Sequence, residues 1–166
     1  VENGSNLLNY GEVQFNVPKI TLKSNAKLLL DAVNNNLPID YHRTLTDGWH
    51  LVSAPVTGQT IENLIANNTF ATGTGSNIGL ATYLNDGSNW NYQSLTSTGL
   101  LTSGQGIAVK LNTPTDIVFS GVYTTIINND IHVPLTVGVN NYNLLGNPIP
   151  TTFNLIRDQN FQDLIN

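Results

Sequence analysis

Apolar side chains in this chain recur at every second position, the spacing of half-buried strands. Ile107, Val109 and Leu111 alternate with Ala108 and Lys110, and Ile117 and Phe119 flank Val118 in the same way. Leu80 to Leu84, then Asn85 to Asn89, then Trp90-Asn91-Tyr92 predicts a hairpin, with Asp86-Gly87 tolerating positive φ in the loop. A second hairpin is predicted where Ile126-Ile127 and Ile131-His132-Val133 flank Asn128-Asn129-Asp130. Gly104-Gln105-Gly106, ahead of the Ile107 strand, marks a bulge or a close approach. The prolines fall at predicted strand edges and turns, where a missing N–H breaks no ladder.

Helical spacing occurs twice. Ile61, Leu64 and Ile65 stand at i, i+3 and i+4 and give one apolar face, with Thr57 or Thr60 as the N-cap. Phe153 to Leu164 predicts a second helix with a shorter periodicity. Each helix follows a similar string. Trp49 to Val56 leads to the first, and Tyr142 to Ile149 leads to the second. One reading is a duplicated strand–Pro–helix corner with the aromatic and the leucines in the core. The other is chance similarity between two short β segments.

Residues 1–37 have a different texture: short strand-like pieces such as Gly11-Glu12-Val13 and Ile20 to Leu30, split by small residues and without a strict repeat length. They predict a small β appendage, with the end of a β-solenoid as one form of it. Asn34-Asn35-Asn36-Leu37-Pro38 makes a joint. The expected fold class is therefore all-β: an antiparallel β-sandwich over residues 38–166 with one or two short helices, preceded by the appendage 1–37.

Composition narrows the function classes. Only 10% of residues are charged, against roughly 25% in ordinary soluble domains, so 25 Asn, 19 Thr and 9 Ser must wet the surface. Six Lys and Arg against eleven Asp and Glu, with no basic cluster, speak against nucleic-acid binding, which begins with phosphate neutralisation. No apolar run approaches the roughly 18–20 residues of a spanning helix, so no membrane insertion is expected. Zero Cys excludes disulfides, zinc ribbons and thiol nucleophiles. With no Met and a start at Val1-Glu2, the chain is expected to be a processed product or an excised piece.

Three strings in one order carry a resemblance: Asp47 to Val56, Gly104 to Val109, and Tyr142 to Pro150. Together they resemble a β-rich module of large secreted proteins of Bacteroidota, often found ahead of a C-terminal type IX secretion sorting domain. The likeness spans residues 38–155. Ile107 stands where that family commonly has an aromatic, Tyr142 where it has Trp, and Ile149 where it has Tyr. The resemblance implies an extracellular or cell-surface location and an adhesive, filament-like or spacer role beside other domains of a parent protein. It brings no catalytic residues.

The residues themselves suggest little chemistry. His42, His50 and His132 show no metal-binding spacing, and His50 is expected to point away from the side taken by its neighbours Trp49 and Leu51, towards solvent or a sheet edge. Ser53 and Ser103 lie outside any nucleophile elbow, and the acids are scattered through turns, so no catalytic residue is assigned and no enzyme is expected. Gly73-Thr74-Gly75-Ser76-Asn77 lacks the Lys-Ser/Thr of a phosphate loop and reads as a flexible loop. No cofactor is expected. Asp86 and Asp130 are weak calcium candidates, each a single carboxylate better explained by a turn.

The candidate ligand-binding residues are Trp90, Tyr92, Gln93 and Asn89. If Trp90 and Tyr92 face outward they form a platform for a cell-surface glycan; if inward, they are core. A third expectation is self-association of identical subunits through an unpaired edge strand within residues 1–30.

Overall fold

The structure, a computed structural model, describes residues 1–13, 17–33, 37–123, 133–140 and 142–151. The hairpin expected around Asn128-Asn129-Asp130, the calcium candidate Asp130 and the helix expected over 153–164 lie outside the described residues.

Among the described residues the chain is all-β with one short helix. The strands are β1 (Asn6–Val13), β2 (Ile20–Leu22), β3 (Lys27–Val33), β4 (Pro38–Leu45), β5 (His50–Ser53), β6 (Asn77–Leu84), β7 (Asn89–Ser94), β8 (Gly106–Val109) and β9 (Thr115–Val122). Helix α1 (Ile61–Asn67) starts at Thr60, whose side chain accepts from the Asn63 amide, and it buries Leu64. Among the described residues, no helix is long and apolar enough to cross a membrane.

The first four strands stack in parallel. β1 pairs with β3, Asn6 opposite Lys27, and β2 pairs with β4, Ile20 opposite Ile39. Each pass lies on the one about twenty residues further along the chain. Val1 continues this pattern on the other edge of β2: its amino group donates to the Thr21 carbonyl and its own carbonyl accepts from the Lys23 amide.

β4 changes the architecture. Its second edge pairs antiparallel with β9 from Pro38–Val122 to Leu45–Thr115. The far edge of β9 is closed by the segment around α1. Asn68 both accepts from the Val118 amide (2.8 Å) and donates to the Val118 carbonyl (2.9 Å). The fully buried Gln59 accepts from the Ser120 amide, and Thr57 exchanges two backbone bonds with Val122. Side-chain amides thus stand in for a further strand, which satisfies backbone groups that would otherwise be left unpaired.

The remaining strands form an antiparallel sheet in the order β5-β8-β6-β7. Leu80, Val52, Ile107 and Val109 join Ile39, Ile117 and Phe119 of the three-stranded sheet in one buried cluster. Leu22, Leu28, Leu30 and Leu37 of the N-terminal passes belong to the same cluster, each fully buried and each contributing about 1.5–3 kcal/mol. Tyr123 fastens this junction, its hydroxyl accepting from the Leu30 amide at 2.9 Å.

The expected duplicated corner, with its aromatic and leucines in the core, does not hold. Trp49, Leu51, Tyr142 and Leu145 are all exposed. In β5 the buried side is that of Val52, which leaves Trp49 and Leu51 on the other side of the pleat. Residues 142–148 form no named strand. They run beside the β8 end, with Leu145 bridged to Gln105 and the Gly106 amide donating to the Leu144 carbonyl. The close approach expected at Gly104-Gln105-Gly106 is this contact: a Cβ at Gly106 would overlap the Leu144 side chain.

Candidate functional site

The solvent side of the four-stranded sheet carries the candidate site. The register places Leu51, Ala108, Ala81 and Tyr92 in one row across all four strands. Ala81 and Ala108 are only 1% and 7% exposed although they share the outward side with Leu51 and Tyr92. Trp49 precedes β5 and Tyr92 belongs to β7, so two strands, roughly 14 Å of sheet, separate their backbones. Their ring centroids nevertheless lie 6.1 Å apart in an edge-on arrangement, at an interplanar angle of 72°. Between Leu51 and Tyr92 the row holds only Ala108 and Ala81, whose short side chains leave room for the two rings to meet above the sheet. Trp49 is 51% exposed and Tyr92 49%.

Beside the pair the sheet splays. Ala71 donates to the Lys110 carbonyl and accepts from the Gly79 amide, while the Lys110 amide donates to the Gly79 carbonyl. A Cβ at Gly79 would overlap the Lys110 carbonyl oxygen, so only glycine permits this approach. The result is a cleft of about 430 Å³ lined by Trp49 and Tyr92, by Gly73 and Gly79, and by Thr72, Thr74, Asn77 and Lys110. The segment 73–77, expected as a flexible loop, is a turn in which the Gly73 amide donates to Asn77 and the Asn77 amide to Thr74. Gly75 supplies the positive φ of 66° that the turn needs.

Of the residues singled out from sequence, Tyr92 lies on this surface. Trp90 shares its side of β7 but is half-buried, its ring packed edge-on against Tyr83 at 5.6 Å. Gln93 is buried on the opposite side, where its amide donates to the Asn91 carbonyl. Asn89 opens β7 opposite Leu84, and its side chain lies outside the described residues. The structure therefore pairs Tyr92 with Trp49 and separates it from Trp90 and Gln93. Sequence reasoning placed Trp49 in the core. The usable signal was parity, since Val52 and Ala54 face inward and put 49 and 51 outward.

Asp86 is occupied locally: its carboxylate accepts from the amide and hydroxyl of Ser88, which hold it below the usual carboxylate range. Among the described residues no three acids or histidines come together. His50 turns to the side of Val52 rather than that of Trp49, with Nε2 3.0 Å from the Thr46 carbonyl oxygen.

The polar groups nearest to a catalytic arrangement lie on the solvent side of β4 and β9. His42 Nδ1 is 3.4 Å from Asp116, and Ser120 lies nearby, but the Ser120 hydroxyl donates to Asp40 at 2.8 Å and not to the imidazole. Asp40 also pairs with Lys19. Burial alone would raise the Asp40 carboxyl; the Lys19 and Ser120 hydrogen bonds outweigh it and hold the group below its ordinary value. Compared with known proteins, the chain matches no family model, no curated protein and no solved structure.

Proposed function

We propose that this chain is a non-catalytic, cofactor-free structural or adhesive module of a secreted or cell-surface bacterial protein. In this reading the antiparallel sheets form a sandwich that closes one end of a parallel β-solenoid. The observation that carries it is the double pairing of β4, parallel to β2 on one edge and antiparallel to β9 on the other. A parallel stack can grow by any further strand added to its open edge. Here that edge is taken by β9, and the far side of β9 is itself closed by Gln59 and Asn68. The low charge and the amide- and hydroxyl-rich surface suit an exterior location, as does the resemblance to modules exported by type IX secretion.

Two measurements test this. An antibody raised against the chain is expected to label intact producing cells; labelling only after lysis would refute the surface location. Urea unfolding followed by Trp fluorescence and by far-UV circular dichroism is expected to show one coincident transition, since residues 1–37 share the core cluster of the rest. Separate transitions would refute the capping role. A second reading, self-association, is favoured by β1: among the described residues it pairs only with β3, and Leu7 and Leu8 are exposed. Sedimentation showing only monomers at high concentration would remove that reading.

A further inference from the structure

The Trp49–Tyr92 cleft combines features that neither a core nor an ordinary wetted surface needs. Two large rings are kept half in water, at the cost of leaving apolar area exposed. The polar groups around them are unspent. Among the described residues, the side chains of Thr72, Thr74, Asn77 and Lys110, the Trp49 indole N–H and the Tyr92 hydroxyl carry no hydrogen-bond or ion-pair partner. On the other sheet the comparable positions are bonded to one another.

The lining also restricts what can bind. It has no carboxylate to ligate a hard metal ion, and the Lys110 ammonium repels other cations. Lys110 is its single charge, too little for a polyanion approaching a chain of net charge −5. A ligand with apolar ring faces for Trp49 and Tyr92, and many hydroxyls for amide, hydroxyl and ammonium partners, matches the remaining chemistry.

We propose that this cleft binds a neutral saccharide chain, with a sugar ring packed on Trp49 and Tyr92 and its hydroxyls bonded by Asn77, Thr72, Thr74 and Lys110. The site goes beyond the structural role proposed above and does not depend on it: a solenoid cap needs no cleft, and a glycan site needs no solenoid.

The test is affinity electrophoresis of the full chain through gels containing a soluble β-glucan, xylan or galactomannan, with a polyuronate as the charged comparison. At least one neutral polymer is expected to retard the protein, and retardation is expected to persist in 0.5 M salt (roughly the range where a surface ionic contact is screened within a few ångströms). Trp49→Ala is expected to weaken binding by about tenfold or more and Tyr92→Ala by a smaller factor, while Trp90→Phe binds as the parent does. Circular dichroism and the urea midpoint check that each variant is folded, and Trp49→Phe, which keeps a ring, serves as the second variant if Trp49→Ala is not. Partial retention of binding in Trp49→Phe supports the stacking role. Absence of retardation by all three neutral polymers overturns the proposal. So does retention by the polyuronate alone that salt abolishes, or full affinity in Trp49→Ala.

Discussion

On the solvent side of β4 and β9, the polar side chains are engaged with one another. Asp40 holds Lys19 and Ser120, Asp116 holds Thr44 and His42, and Asn67 reaches Ser120. The solvent side of β5-β8-β6-β7 is built the opposite way, with rings meeting across alanines and polar groups left unbonded beside them. Both faces belong to sheets packed on the same core, so burial cannot account for the contrast. A face whose hydrogen bonds are internally satisfied has little to offer a partner, whereas one with exposed rings and unspent donors gains by binding. On the proposal made above, the first face maintains the fold and the second contacts a ligand.

Substitutions can break this contrast or sharpen it. The largest effect is expected at Gly79, because an added Cβ meets the Lys110 carbonyl, whose position is fixed by the Ala71 bond. Gly79→Ala is expected to cost about 3 kcal/mol in urea unfolding and to abolish the cleft. A loss below about 0.5 kcal/mol would show that the splay adapts, and that the cleft is not imposed by the backbone.

Next in size are the amides that close β9. Asn68→Ala and Gln59→Leu each leave backbone groups of Val118 or Ser120 without a partner and are expected to cost about 1–3 kcal/mol. Faster amide hydrogen exchange at Val118 in Asn68→Ala, and at Ser120 in Gln59→Leu, would accompany the loss. Leu51→Ser on the exposed face is expected to stay within about 0.5 kcal/mol of the parent. Equal losses at the two places would erase the distinction between the faces.

A smaller effect is expected from pH. The Asp40 carboxyl lies below its unfolded value, so its stabilising contribution is present above the unfolded pKa, roughly 4, and is lost as pH falls through the lower folded value. The partly exposed site limits this to below about 1 kcal/mol. The urea midpoint of the parent is expected to fall between about pH 5 and pH 2 more steeply than that of Asp40→Asn. Identical slopes would remove Asp40 from the account.

The smallest change in stability is expected for Trp49→Phe, within about 0.5 kcal/mol. Acrylamide quenching gives this variant its reading: Trp49→Phe should lose the accessible part of the emission and Trp90→Phe the shielded part. The reverse would put Trp90 on the outside, as the hairpin pattern alone allowed.

Much of the local structure was legible from the chain. The Asp86-Gly87 turn between β6 and β7, a cap at one of the two expected threonines (Thr60) with its Leu64 face, and the close approach at Gly104-Gln105-Gly106 all stand as expected. The site was half legible. Tyr92 was identified from its outward option beside Trp90, while Trp49 was assigned to the core on the strength of a repeated string, and parity within β5 overruled that assignment. The capping of β9 by Gln59 and Asn68 had no sequence signal, because a side-chain amide that replaces a strand looks like any other loop amide.

By itself the sequence determined strand periodicity, turn chemistry, low charge and the absence of thiols, since each depends on residues close together or on composition alone. Tertiary structure decided which strands lie side by side, and with that the meeting of Trp49 and Tyr92 across Ala81 and Ala108. Alternation tells which residues share a side of one strand; it carries no information about which strand comes next in the sheet, because that pairing is settled by packing between segments distant along the chain.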